Sequence, residues 1–255
     1  MITFGIEGIR YFDEVNKTGN IVKGKAIELG YTFNVCNGLH HKLLKAGHND
    51  KFYHGDKECW AIHLNDASLK AGGIDDKWAD DVDLFFIATH GNNDKDNNKP
   101  LLLYNVEKDA WWGNGIDWKL GNKGLKWLLL RSCSGINLKN VMACIDIFDK
   151  LHGICAAYGR MWDGITTDEA GEDLAEYLID GDTTVADAWF KAQSDWRYDN
   201  HPIVICANGQ VSYDVKGNLI KFLSTLNLDY LTPRGFTMPE VPRSKIVGLH
   251  WMWVE

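Results

Sequence analysis

Two kinds of apolar pattern alternate along the chain. Short unbroken runs stop abruptly at small or polar residues: "VDLFFIATHG" (82–91), "KWLLLRSC" (126–133), "GICAAYG" (153–159) and "HPIVICANG" (201–209). A run apolar at every position predicts a strand covered on both faces. "ITFGIEGIRYF" (2–12) alternates enough for a first strand, "PLLLYNV" (100–106) for another, and 59–64 for a short one. Other stretches carry apolar residues at three- and four-residue steps, as helices do. In 23–46 these are Ile27, Leu29, Phe33, Leu39, Leu43 and Leu44, with Gly30 and Gly38 as interruptions. In 137–151, Val141, Cys144, Ile145, Phe148 and Leu151 fall on one helical face. Segment 166–181 starts with acidic residues, which suit a helix N-terminus, and Gly181 stops it. Segment 183–198 predicts a further helix capped by Thr183 or Thr184. Loops fill 48–80, 92–99 and 110–124, and "VKGN" (215–218) signals a turn.

Strands alternating with helices as far as Ala207 predict an α/β fold. The expected form is a three-layer sandwich, a mainly parallel central sheet with helices on both faces. One domain spans 1–255, with 208–255 as a C-terminal extension packing on it.

Composition narrows the partners. The chain has 27 Lys+Arg against 35 Asp+Glu and no basic run, which argues against nucleic acid. No stretch approaches the roughly 18 apolar residues of a membrane span, and the N-terminus lacks the pattern of a signal peptide. The six cysteines form no C-x-x-C pair and no zinc-finger spacing with histidine, so they read as reduced thiols of a cytoplasmic protein. The oligomeric state is left open.

Candidate chemistry lies where two apolar runs end. In a parallel sheet the ligand site lies beyond the carboxyl ends of the strands. His90-Gly91 follows one buried run and Cys133 follows another. If those strands are neighbours, the imidazole can take the thiol proton and make Cys133 a nucleophile. The backbone N–H groups of Gly91 and Cys133 are candidates for oxyanion donors. Gly91 lets a carbonyl approach closely, and Gly135 is a candidate for the sharp turn after Cys133. Strand alternation sets Arg131 on the same side as Cys133.

These residues resemble the caspase-like cysteine peptidases, the group of caspases, metacaspases, gingipains, legumains and clostripain. In that group an apolar strand ends in His-Gly and a later one ends in a small residue and Cys. "LFFIATHG" and "WLLLRSC" match both halves, 43 positions apart, near the group's spacing of about 50. "TTVADAWFKA" (183–192) is similar to a helix of the gingipain-like members. The resemblance spans about 2–207, with its specific part near twenty residues. It implies a caspase-like fold, hydrolysis of a peptide or protein substrate without a required cofactor, and a dyad of His90 and Cys133. It also implies that the residue two before the nucleophile reaches the S1 pocket, so Arg131 favours an acidic P1 residue; the alternative is that Arg131 points to the other face and pairs with a structural acid. Around the cysteine the sequence is Arg131-Ser132-Cys133-Ser134-Gly135, which departs from the Gln-Ala-Cys of caspases. The alternatives are a caspase-like scaffold without catalysis and a Cys-dependent amidase or transpeptidase.

Two groups of side chains raise a metal reading. Asn92, Asp94, Asp96 and Asn98 alternate oxygen ligands as a Ca²⁺ loop does, but the glycine and closing glutamate of an EF-hand are missing. Calcium occurs in some members of the resembling group. His40-His41, with His48 and His54, are discounted as a metal set, because adjacent histidines point to different faces of a helix. Trp111 and Trp112 are either a loop anchor or part of a substrate groove.

Overall fold

The computed structural model describes residues 1–15, 21–104, 112–194, 200–209, 212–213, 219–221 and 229–254. Its centre is a seven-stranded sheet. The strands are β1 (Thr3–Gly8), β2 (Asn49–Gly55), β3 (Leu84–Ala88), β4 (Trp127–Arg131), β5 (Gly153–Ala157), β6 (Pro202–Gly209) and β7 (Ile246–Trp253). Their spatial order is β7-β6-β5-β4-β3-β1-β2. The five from β5 to β2 run parallel, while β6 and β7 are antiparallel to their neighbours.

The unbroken apolar runs are explained by two cores. Residues Leu84, Phe86, Trp127, Leu129 and Cys155 face one core, and Phe85, Ile87, Leu128, Leu130 and Ile154 face the other. Successive side chains of a strand point to opposite faces, so a strand covered twice must be apolar throughout.

The first core is roofed by α1 (Thr32–Lys45), α2 (Ala170–Ile179) and α3 (Val185–Gln193). Thr184 caps α3, its Oγ1 accepting from Asp187 N–H at 3.1 Å. Gly38 does not break α1. A Cβ there would lie 2.9 Å from Glu172 N, and one on Gly171 would lie 1.8 Å from the Val35 carbonyl oxygen. The two glycines let α1 and α2 approach backbone to backbone.

The second core has no α-helix over it among the described residues. Its cover is a set of 3₁₀ turns, chiefly Leu138–Ile147, and a small sheet of Gly91–Asn93, Pro100–Leu103 and Trp112–Asn114. Helices on both faces therefore holds only if 3₁₀ segments are counted. The buried residues of Leu138–Ile147 are Val141, Cys144 and Ile147. A strict three-residue step suits a 3₁₀ turn better than the 3.6-residue period of an α-helix. The segment also kinks at Asn140 (φ −144°, ψ 51°).

Other boundaries differ from expectation. Ile21–Glu28 is a strand paired with Tyr11–Val15, and the helix starts only after Gly30. Ala61–His63 is a 3₁₀ turn, not a strand. The apolar terminus joins the central sheet: Ile246–Trp253 is its edge strand β7, paired with β6. Trp111 and the 215–218 turn lie outside the described residues. No described helix is long and apolar enough to cross a membrane.

Candidate active site

β3 and β4 are adjacent and parallel, with Ala88 paired to Arg131. His90 and Cys133 each stand two residues beyond that pair, so both leave the sheet at the same edge and height. Both line one cavity of about 460 Å³, with Leu29, Thr32, Arg131 and the 160–163 segment among its walls. The sequence predicted the two strand ends. It missed Met161, Trp162 and Asp163, although they follow β5 at the same edge and obey the same rule.

Cys133 is half-buried and the other five cysteines are buried; all six are free thiols. Burial pushes the Cys36 and Cys144 thiols up to about 12, which keeps them protonated and inert. Cys133 Sγ lies against the Met161 backbone, accepting from its N–H at 3.4 Å and donating toward its carbonyl at 3.6 Å. Among the described hydrogen bonds none joins the His90 ring to Cys133 Sγ. The His90 ring packs on Phe12, with centroids 4.9 Å apart. Burial lowers its pKa below the ordinary imidazole value, and the Asp163 charge opposes that shift. The shift favours the neutral ring, the form that a general base needs.

The turn after Cys133 is tightly held. Ser134, not Gly135, adopts the left-handed conformation, with φ 49°. Its N–H donates to the Gly159 carbonyl at 2.6 Å, and Ile136 N–H donates to the Ala157 carbonyl at 3.0 Å. A Cβ at Gly135 would meet nothing closer than 3.6 Å, so Gly135 is not sterically demanded. Gly91 is demanded: a Cβ there would lie 2.7 Å from the Ser132 side chain and 2.8 Å from the Cys133 carbonyl oxygen. Leu103 N–H donates to the His90 carbonyl at 2.9 Å, and Gly91 pairs with Leu102. The alternation of an antiparallel ladder then turns the Gly91 N–H away from that partner strand.

Arg131 lines the cavity from below, buried at 4 % exposure. Its Nη2 donates to the Trp162 carbonyl at 2.9 Å and to Thr167 Oγ1 at 3.2 Å. Nη1 lies 3.6 Å from Asp163 Oδ1, while Tyr31 N–H donates to Asp163 Oδ2 at 3.0 Å. Arg131 Nε and Asp163 Oδ1 are buried without a hydrogen-bond partner. The guanidinium therefore meets the cavity already facing a carboxylate.

The Asn92–Asn98 oxygens are largely used within the chain. Asp94 accepts from the N–H of Asp96 and from the side chains of Asn97 and Asn114. These side-chain bonds to Asn97 and Asn114 hold its carboxyl down at about 2. Asn92 Oδ1 accepts from Asn93 N–H, and Asn98 Oδ1 accepts from Asn137 Nδ2. Asp96 offers only its backbone N–H to this turn in the bonds described. His40 pairs with Asp50, away from His54, while His54 faces Glu7.

The fold and cavity define a class: an α/β protein with a thiol and an imidazole at the carboxyl edge of a mainly parallel sheet. The chain matches, over residues 6–255, the family described as a domain of unknown function, DUF6345. It belongs to that family. No curated protein matches the chain.

Proposed function

We propose that the protein is a caspase-like cysteine peptidase acting on peptide or protein substrates, with Cys133 as nucleophile and His90 as base. One observation carries the reading: the two side chains end neighbouring parallel strands in register and line one cavity. Cys133 Sγ gives its proton to His90 and attacks the scissile carbonyl. The N–H groups of Gly91 and Cys133 receive the oxyanion. His90 then returns the proton to the leaving amine, and water assisted by His90 hydrolyses the thioester. No cofactor is needed for these steps. Free thiols and the reaction itself suit a reducing compartment, the cytoplasm.

Arg131 sets the P1 preference together with Asp163. An acidic P1 side chain competes with Asp163 for the guanidinium, so the preference for Asp or Glu is modest.

A second reading, a scaffold that binds a partner without catalysis, is favoured by the contact of Cys133 Sγ with Met161 in place of His90. An electrophilic peptide probe separates the two. Labelling of Cys133 that falls sharply in His90→Ala, with cleavage of library peptides, supports the peptidase. Labelling no faster than that of a free thiol, and unchanged by His90→Ala, selects the scaffold. Cleavage of non-peptide amides alone would redirect the same chemistry to an amidase.

A further inference from the structure

Glu7 has its side chain on the sheet face away from the α-helices, because its neighbour Ile6 belongs to the helix-side core. It is wholly buried, at 0 % exposure. Two imidazoles converge on it from different elements. His63, in the 3₁₀ turn Ala61–His63, brings Nδ1 to 2.5 Å from Glu7 Oε1. His54, near the end of β2, holds Nδ1 at 3.6 Å from the same oxygen, too far for a hydrogen bond. The three ligand atoms all lie within 4.8 Å of one another.

The pair of Glu7 and His63 explains only part of this centre. Glu7 Oε2 and His54 Nδ1 are both buried without a hydrogen-bond partner. Buried polar atoms are nearly always satisfied, and two orphans in one centre ask for a third species. A water would supply hydrogen bonds to both orphans but bring no positive charge to the carboxylate. A cation between them would satisfy the carboxylate oxygen, the His54 nitrogen and the charge together.

We propose that Glu7, His54 and His63 form a binding site for a divalent transition cation of the Zn²⁺ class. Two imidazole nitrogens and one carboxylate are a borderline-soft donor set that Zn²⁺ takes with bonds of about 2.0–2.2 Å, leaving a fourth position for water. Tetrahedral ligands then stand roughly 3.4 Å apart. The present atoms bracket that separation, so small side-chain rotations suffice. Trp78 packs on both imidazoles, its ring centroid 4.8 Å from His54 and 4.7 Å from His63, and Trp60 stacks on His63. This aromatic wall fixes the rings and limits water. His54 keeps 17 % of its side chain exposed and marks the entry path. The metal joins β1, β2 and the Ala61–His63 turn. It lies on the strand beside β3, with Glu7 paired to Ile87, and it takes no part in the cysteine chemistry.

The test uses the full chain stripped with chelator, titrated with Zn²⁺ by calorimetry and with Co²⁺ by visible absorption. The expected result is one equivalent of Zn²⁺, a raised Tm and the intense spectrum of four-coordinate Co²⁺. His54→Ala decides the matter, because it removes a partly exposed side chain with no hydrogen bond at Nδ1 and should fold. It should weaken Zn²⁺ binding beyond the roughly 10–100-fold typical of outer-shell partners. Glu7→Gln, checked for folding by circular dichroism, should do the same. His40→Ala, at the surface pair with Asp50, should bind as the unaltered chain does. No binding, a six-coordinate Co²⁺ spectrum, or undiminished binding in His54→Ala would overturn the site.

Discussion

Two polar centres sit near the carboxyl edge of the same sheet, and they are built in opposite ways. Around Glu7 the polar atoms are sealed in, with His63 at 2 % exposure and aromatic rings on the outside. Around Cys133 the residue is half-buried on a cavity, and its sulfur touches the Met161 N–H and carbonyl at 3.4 and 3.6 Å. The sealed centre lies on the face covered by 3₁₀ turns, and Cys133 packs toward the α-helical face. Burial makes an interaction strong and its loss costly, whereas an open site keeps a group free to react at little expense in stability. Stability should therefore answer to the first centre and chemistry to the second.

The largest expected effect tests the reactive side. Cys133→Ala and His90→Ala should each lower kcat/KM by at least about 10³-fold, and the double variant should be no worse than either, because dyad members act as a unit. Thermal unfolding of Cys133→Ala should be nearly unchanged. The sealed side should show the reverse. Glu7→Ala breaks a buried pair and should cost about 3–5 kcal/mol in urea unfolding. Where the variant remains folded, the rate at which an electrophile labels Cys133 should stay the same. A fall in that rate would join the two centres and end the comparison.

Gly91→Ala falls between the two. The added Cβ must displace Ser132 or the Cys133 carbonyl. Loss of one oxyanion donor costs about 10²–10³-fold in kcat elsewhere, so a drop of that order with little change in KM is expected. An unchanged kcat would remove Gly91 from the site.

Asp163→Asn sharpens the picture inside the cavity. It frees Arg131, and selectivity for acidic over neutral P1 residues should rise about tenfold, within the worth of one charge-assisted bond. The same variant has a pH signature. His90 must be neutral to act, so activity falls as pH drops through its pKa, which burial sets below about 6.5. Asp163 raises that pKa, so its removal should move the acid limb of kcat/KM to lower pH. A limb that moves upward would show that His90 is not the titrating group.

The smallest expected effect is that of Ca²⁺. Asp94, Asn92 and Asn98 already accept hydrogen bonds within the chain. Millimolar Ca²⁺ should leave Tm within the error of the measurement. A shift of several degrees, abolished by Asp94→Asn, would restore the calcium reading.

Much of this architecture was legible in the residues because the signals were local. Apolar runs over 84–88 and 127–130 suit strands covered twice, and parallel strands present their carboxyl ends together. Thr184 caps a helix through a bond reaching three residues. The failures came where local signals competed. In Leu138–Ile147 the apolar positions read as one face of an α-helix, but the residues it buries stand three apart and the segment forms 3₁₀ turns. Gly38 reads as a helix breaker until α2 is laid against it.

The sequence by itself determined which segments are buried on both faces and which side chains leave the sheet at its edge, since both follow from alternation along one strand. Only the tertiary structure decided that Arg131 faces Asp163, thirty-two positions away. Likewise it alone brought His54 and His63 onto Glu7. In the sequence His54 stands near His40, His41 and His48, but its partners stand on β1 and on a 3₁₀ turn. The reason is physical: a strand's period fixes direction within a few residues, whereas a charge seeks its partner through space, and no period records which loop folds back to meet it.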